Sequence, residues 1–221
     1  TAEPACDGDA HRRRWRFFQQ VRSGWSTHRV LGRQATKLAS YNSRTLKDKW
    51  RHWELVSFLE ESKIDVCAIQ EHRIFHSTPN PQIRRQPLGG GWELVTTSAS
   101  EAGVGGVGFV LSFRAISCLE SIDSFSDRVL RIRLAAGISV DSHTYVVSAY
   151  SPTDAALASA KDAFYHSLDE ALESIPSRDE MYILGDFNAS VQKTSQSTNR
   201  WTNLNDNSER LENLIAEHQL T

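Results

Sequence analysis

Apolar positions recur along this chain with two different periods. Four short runs read as buried strands: Lys37-Leu38-Ala39-Ser40-Tyr41-Asn42, Ile64-Asp65-Val66-Cys67-Ala68-Ile69-Gln70-Glu71, Tyr145-Val146-Val147-Ser148-Ala149-Tyr150-Ser151-Pro152 and Tyr182-Ile183-Leu184-Gly185-Asp186-Phe187-Asn188-Ala189. Val107 to Phe113 and Val129 to Leu134 read as further strands, the second alternating Leu130, Ile132 and Leu134 with Arg131 and Arg133. Helical spacing appears in Trp50, Trp53, Leu55 and Leu59, again from Leu157 through Ala160, Phe164, Leu168, Ala171 and Leu172 to Ile175, and in Leu211, Leu214 and Ile215 of residues 208–218. Polar stretches at 77–91 and 190–207 read as loops, and no internal repeat is visible. Strands alternating with helices in places and following one another directly in others predict an α/β chain. The architecture expected is two mixed β-sheets packed face to face with helices outside, a four-layer sandwich.

Each of the four runs ends on polar residues. A period of two puts Asp186 and Asn188 on one face of their strand with Phe187 turned inward, and oxygen ligands so placed suit a hard cation such as Mg²⁺. Taken singly, each end has an ordinary reading: Gly185-Asp186 as a turn, Glu71 as a solvated strand end, Tyr150 as a half-buried aromatic with a wet hydroxyl, Asn42 as a turn former. The order Asn, Glu, Tyr, Asp-x-Asn, each at a strand terminus, is harder to obtain by accident.

Asn42, Gln70-Glu71, Gly105-Gly106-Val107-Gly108, Tyr150-Ser151-Pro152 and Gly185-Asp186-Phe187-Asn188 together resemble the endonuclease/exonuclease/phosphatase superfamily, the DNase-like enzymes. The wording is most similar to LINE-type retrotransposon endonucleases, including the craniofacial development protein 2-like group, through Asn42-Ser43-Arg44-Thr45-Leu46, Tyr150-Ser151-Pro152-Thr153 and Gly185-Asp186-Phe187-Asn188-Ala189. The resemblance runs from about Leu38 to the last residue. It implies Glu71 as principal metal ligand with Asn42 beside it, and Asp186 helping to hold the metal and polarise the attacking water. Asn188 would orient the phosphate, and Tyr150 would hydrogen-bond it as charge develops. The implied cofactor is Mg²⁺ or Mn²⁺, the implied substrate DNA, and a reverse transcriptase domain is an expected companion in the same parent polypeptide.

The same resemblance implies a later carboxylate and a Ser-Asp-His trio on two more strands. The sequence ends at Leu220-Thr221 without them, so the expectation is a domain lacking its final strands and inactive by itself. His218 does not replace the missing histidine, because it belongs to the last turn of a helix, where a cation favours the dipole. A phosphatase of the same superfamily, acting on a phosphomonoester or lipid headgroup, and a non-catalytic remnant are the alternatives.

Charge changes the picture only at the front of the chain. The net charge of −2 hides a balance of +7 over residues 1–50 and −9 over the rest. Residues 1–37, with His11-Arg12-Arg13-Arg14-Trp15-Arg16-Phe17-Phe18, read as a basic, disordered extension to a domain at 38–221, although such a segment could also lie along phosphates. No apolar run is long enough for a membrane span, and no apolar stretch marks the first residues as a signal. Cys6, Cys67 and Cys118 have no metal-like spacing and read as reduced thiols in an intracellular, nuclear or cytoplasmic protein. Gly103-Val104-Gly105-Gly106-Val107-Gly108 fits a dinucleotide fingerprint by its letters, but Phe109-Val110-Leu111 reads as a strand where that motif needs a helix. Its glycines fit better as the place where a strand passes close under a site.

Overall fold

The computed structural model describes residues 15–19, 26–30, 36–77, 83–135, 142–189 and 205–220, the first two stretches as backbone. The arginines at 12–14 and most of the segment at 190–207 lie outside the described residues. In chain order the elements are Trp15–Gln19 (β1), Ser26–Val30 (β2), Thr36–Asn42 (β3), Lys49–Glu61 (α1), Val66–Gln70 (β4), Ile83–Gly89 (β5), Trp92–Thr97 (β6) and Val107–Leu111 (β7). There follow Phe113–Ser117 (α2), Leu119–Ser126 (β8), Val129–Leu134 (β9), Thr144–Tyr150 (β10), Ala158–Glu173 (α3), Glu180–Asp186 (β11) and Asp206–Glu217 (α4). They build two mixed sheets, a five-stranded one ordered β1-β11-β10-β9-β8 and a six-stranded one ordered β2-β3-β4-β7-β6-β5. Strands β1 and β2 fall within the segment read as an extension; β1 lies parallel to β11 and β2 antiparallel to β3.

The period of two separates three apolar layers. Leu38, Val66, Ala68, Phe109, Leu130, Ile132, Val146, Tyr182 and Leu184 point between the sheets. Tyr145, Val147, Met181 and Ile183 point the other way, against Phe164, Leu168 and Leu172 of α3 and Leu211 and Leu214 of α4. Ala39, Cys67 and Ile69 pack against Leu55, Val56 and Leu59 of α1. Burial pushes the Cys67 thiol far up, consistent with a small inert core residue. Burying a side chain such as Leu168, with no exposed surface, contributes roughly 1.5–3 kcal/mol.

Some elements depart from the expectation, each for a physical reason. Residues 83–89 are a strand, not part of a loop, and Pro87 is tolerated because β5 is the sheet edge. The strand starting at Val107 stops at Leu111, because the Ser112 side chain accepts a hydrogen bond from Ala115 N and caps the short helix α2. Thr96 and Thr97, polar as they are, close strand β6 and are buried. On α1 the buried stripe is His52, Leu55, Val56 and Leu59, while Trp50 and Trp53 face solvent. Leu157 and Ala160 are likewise exposed, and Lys161 and Tyr165 take their places on the buried side of α3.

Candidate active site

Two parallel strand pairs, one in each sheet, end at the same edge of the molecule. In the six-stranded sheet Asn42 lies beside Gln70, and in the five-stranded sheet Tyr150 lies beside Asp186. The backbone leaves β4 through Glu71, Arg73 comes two residues later, and both take positive φ (53° and 57°). That left-handed turn costs a non-glycine residue about 1 kcal/mol or more and is held here by backbone hydrogen bonds from Ser43 N to Gln70 O and from Arg73 N to Gly105 O.

The centre of the site is the carboxamide of Asn42. Its Nδ2 donates to Glu71 Oε1 at 2.8 Å and to Asp186 Oδ2 at 2.9 Å, joining one carboxylate from each sheet. Two oxygens sharing one donor lie no more than about 6 Å apart. Asn42 Oδ1 is turned the other way and accepts from Arg44 N at 3.1 Å. The second oxygen of Glu71 accepts from Arg73 at 2.9 Å. Desolvation by partial burial raises the Glu71 pKa, but hydrogen bonds from Asn42, Arg73 and Tyr150 and the charge of Arg73 outweigh it, so the carboxyl sits below its ordinary value. Tyr150 is pushed up to about 12, by burial first and then by the charge of Glu71 and its hydrogen bond to it, which keeps its hydroxyl a donor at any ordinary pH. The guanidinium of Arg128 lies over the Tyr150 ring, 5.1 Å from its centroid, and donates to Tyr150 O at 3.3 Å.

Asn188 stands beside this cluster rather than in it. At φ 47° its N–H donates to Asp186 Oδ1 (3.1 Å), its Nδ2 donates to Ser151 O (2.9 Å), and its carbonyl accepts from Asn205 (2.8 Å). It ties the turn after β11 to the turn after β10 and to the start of α4. His218 is remote from the carboxylates, its Nε2 2.6 Å from Asp169 Oδ1 of α3.

Beneath the carboxylates a second polar layer crosses between the sheets. Ser40 donates to Gln70 Oε1 (3.3 Å), Gln70 Nε2 donates to Ser148 Oγ (3.3 Å), and Ser148 Oγ donates to Ile69 O (3.2 Å). All three side chains are fully buried. Under Glu71 the His72 ring fills the space over Gly106, where any Cβ would collide with it. That is the close passage expected of the Gly105-Gly106 segment, and the element after it is a strand, not the helix a dinucleotide site needs. Gln70 stands beside Glu71 in the motif wording, but Arg73, Arg128, Ser40 and Ser148 are not among the site residues expected from the sequence. Ser148 gives a signal, a polar residue at an inward position between Val146 and Tyr150; the arginines, in loops, give none.

No protein-family model matches the sequence, and no curated protein matches it. Solved structures do. The fold is similar to that of an AP endonuclease from Leishmania major (17% identity, TM-score 0.60, over 83% of this chain and 66% of that one) and of an AP endonuclease from Archaeoglobus fulgidus (20%, 0.55, 82% and 70%). An endonuclease/exonuclease/phosphatase family protein from Leptotrichia buccalis C-1013-b is also similar (14%, 0.52, 82% and 72%). This is the DNase I-like fold. The chain spans just under two thirds of the Leishmania protein's length and 70% of the Archaeoglobus protein's. At these identities the likeness is one of architecture, and the chemistry has to be argued from the side chains.

Proposed function

We propose that the chain carries a metal-dependent phosphodiesterase site acting on DNA, a strand-nicking centre of the endonuclease/exonuclease/phosphatase superfamily. The observation that carries this is the single Asn42 Nδ2 held between Glu71 and Asp186, which concentrates two negative charges where the two sheets meet. Among the described residues no group of three or more His, Cys, Asp or Glu forms, so the donor set is two carboxylates. That set fits Mg²⁺ or Mn²⁺, which take one or two carboxylates and complete their shells with water and substrate oxygens, and does not fit zinc, which takes three or four protein ligands. Glu71 and Asp186 would hold the ion. Asn42, which presents nitrogen to the carboxylates, serves an ion only if its carboxamide turns over; otherwise it fixes the two acids relative to each other. The ion would supply charge neutralisation at the phosphate's non-bridging oxygens.

The chain's own groups supply the rest. Asp186 is placed to orient a water molecule, since one of its oxygens is fixed by Asn188 N and the other by Asn42. The Tyr150 hydroxyl remains protonated and can donate to an oxygen as charge develops on it. Arg73 and Arg128 flank the cluster and offer planar donors to a second phosphate. Asn188, with one carboxamide N–H on Ser151 O and a second N–H to donate, holds the turn and would orient the phosphate.

A LINE-type retrotransposon origin, with a reverse transcriptase elsewhere in the parent polypeptide, rests on the motif wording around Asn42, Tyr150 and Gly185. A phosphomonoesterase on the same fold is the second reading, favoured by the site's small polar cluster. Nicking of supercoiled plasmid measured beside phosphate release separates the two. Calorimetric titration with Mg²⁺ tests the ion: Glu71→Gln keeps the shape and should weaken affinity at least tenfold, and unchanged affinity would remove Glu71 from the metal site.

A further inference from the structure

Two chain segments cross the end of the six-stranded sheet from its inner to its outer face, residues 43–48 after β3 and 71–76 after β4. They are tied together by hydrogen bonds from Ser43 N to Gln70 O and from Leu46 N to His72 O, both 2.9 Å. Arg44, Lys47 and Arg73 carry positive charge along this rim. Past the rim, between α1 and β5, Leu46, Lys47, Lys49, Ile74, Phe75 and Gln86 line an open groove of about 410 Å³. Clefts that take small molecules run from about 300 to 1,000 Å³. Two lysines are the charged residues in its lining, and no acidic side chain of the described residues joins them. Phe75 is 42% exposed, and one turn along α1 the Trp53 ring, 64% exposed, lies over Gly89 of β5.

The exposed Phe75 ring beside the two lysines belongs to none of the apolar clusters of the core. Flat aromatic faces next to cations are what a nucleic-acid strand with unstacked bases binds. Continuity with the carboxylates selects this occupant. Phe75 lies four residues from Glu71, and four residues of extended chain reach at most about 14 Å, the rise of about four stacked nucleotides.

We propose that this groove binds an unpaired base in the DNA strand flanking the phosphodiester addressed by Glu71 and Asp186. Phe75 stacks on the base, and Lys47 and Lys49 hold the adjoining phosphates. The substrate class is thereby a duplex with an unpaired flank within a few nucleotides of the nick. This rests on the reading of the site as a DNA phosphodiesterase, and its test is made on binding.

The probe is a duplex oligonucleotide with a short unpaired flank carrying 2-aminopurine, titrated without divalent metal so that nothing is cleaved, beside a fully paired duplex of the same length. The expected result is quenching of the flank's fluorescence. Phe75→Ala should abolish the quenching and weaken binding of the flanked duplex about 5-fold to 100-fold, while the paired duplex is unaffected. Phe75→Trp should restore both. Lys47→Ala and Lys49→Ala should each reduce the salt slope by about 0.7. Equal affinity for flanked and paired duplexes, quenching that survives Phe75→Ala, or displacement by a poly-glutamate peptide but not by an unlabelled single strand would overturn the proposal. Quenching that depends on Phe75 in a protein whose Mg²⁺ affinity is indifferent to Glu71→Gln would sink the phosphodiesterase reading and leave the groove standing. Quenching that survives Phe75→Ala in a protein whose Mg²⁺ affinity does depend on Glu71 would do the reverse.

Discussion

The outer faces of the two sheets are covered in unlike ways. Over the five-stranded sheet, α3 and α4 are locked to each other by the buried Lys161, 3.1 Å from Asp206, by Arg210 reaching both Asp162 and Asp206, by Tyr165 donating to Asn207 O, and by His218 against Asp169. Burial is the largest influence on the Tyr165 hydroxyl and drives its pKa well up, so it stays a donor. Arg131 closes the far end of α3, donating to Ala171 O and Ser174 at 2.6 Å each. Over the six-stranded sheet one long helix lies nearly alone, its Trp50 and Trp53 in solvent and a groove open at its side. One face is closed and the other is open, although each sheet contributes a carboxylate to the site.

The shared site gives the largest expected effects and the point where the two halves should behave alike. In a longer form of the protein that carries the later carboxylate and Ser-Asp-His trio, Glu71→Gln and Asp186→Asn should each lower nicking by about 10²-fold to 10⁴-fold, as expected for loss of a group that generates or steadies charge at the reacting phosphate. For Asp186→Asn the loss should fall on kcat, with DNA affinity within about twofold. A parallel loss of affinity would make Asp186 a DNA-positioning residue only.

The covers themselves should differ sharply. Leu168→Ala, in the closed face, should destabilise the fold by roughly 2–5 kcal/mol in denaturant unfolding, and Trp53→Ala, on the open face, by no more than about 0.5. Similar costs at the two positions would mean that the open face contributes to stability no less than the closed one.

Acid should act on the six-stranded side through His72. Its Nδ1 accepts from Ile74 N (3.0 Å) and its Nε2 lies 3.2 Å from Val107 O, so a second proton has no place. Burial, with a smaller contribution from the nearby His76, outweighs the opposing bond to Val107 O and sets its pKa at about 3. The folded value lies below the ordinary one of about 6.5. As pH falls below that ordinary value the unfolded chain takes up a proton that the folded chain refuses, and stability falls until the pH approaches the folded value. Between about pH 6.5 and 5 the expected loss is about 2 kcal/mol. His72→Asn should flatten this stretch of the stability profile; an unchanged slope would assign it to other groups.

Helix caps give the smallest contrast. Asn205 caps α4 with a reciprocal pair of bonds to Ser208, whereas Asp48 begins α1 with no side-chain bond. Asn205→Ala should therefore cost about 1 kcal/mol and Asp48→Ala a few tenths, read from the same unfolding curves.

Much of this architecture is legible in the order of residues, and the illegible parts have identifiable causes. Strands buried on both faces announce themselves as continuous apolar runs, and their polar last residues mark the edge where Asn42, Glu71, Tyr150 and Asp186 meet. The alternation in Val129–Leu134 also holds, with Leu130, Ile132 and Leu134 between the sheets and Arg131 turned out to α3. By contrast β5 is an edge strand whose Arg84, Arg85 and Pro87 look like a loop, because only one side of it needs to be paired. The α1 stripe is misplaced by sequence because tryptophan counts as apolar wherever it falls, and only the neighbouring β5 and its glycine turn show that Trp53 lies over an edge. Loop residues such as Arg73 and Arg128 carry no period at all, and their position depends on backbone turns that the sequence does not spell out.

The buried Ser40-Gln70-Ser148 layer has a consequence for how the molecule comes into being. Its bonds join residues up to 79 positions apart, and the Asn42 to Asp186 bond above it joins residues 144 apart, so neither forms until both sheets have been made and brought together in register. Contacts of such long range close late and slowly. A shift of one residue between the sheets would leave Gln70 Nε2 and Ser148 without their partners in a dry interior, a cost of about 1–3 kcal/mol for each, while the Ser40 to Gln70 bond within one sheet survives. The layer therefore acts as a proofreader of assembly: a chain that has collapsed with its sheets misaligned keeps its apolar contacts but has no paired carboxylates, and the Asn42-bridged pair becomes a report on correct docking of the whole domain.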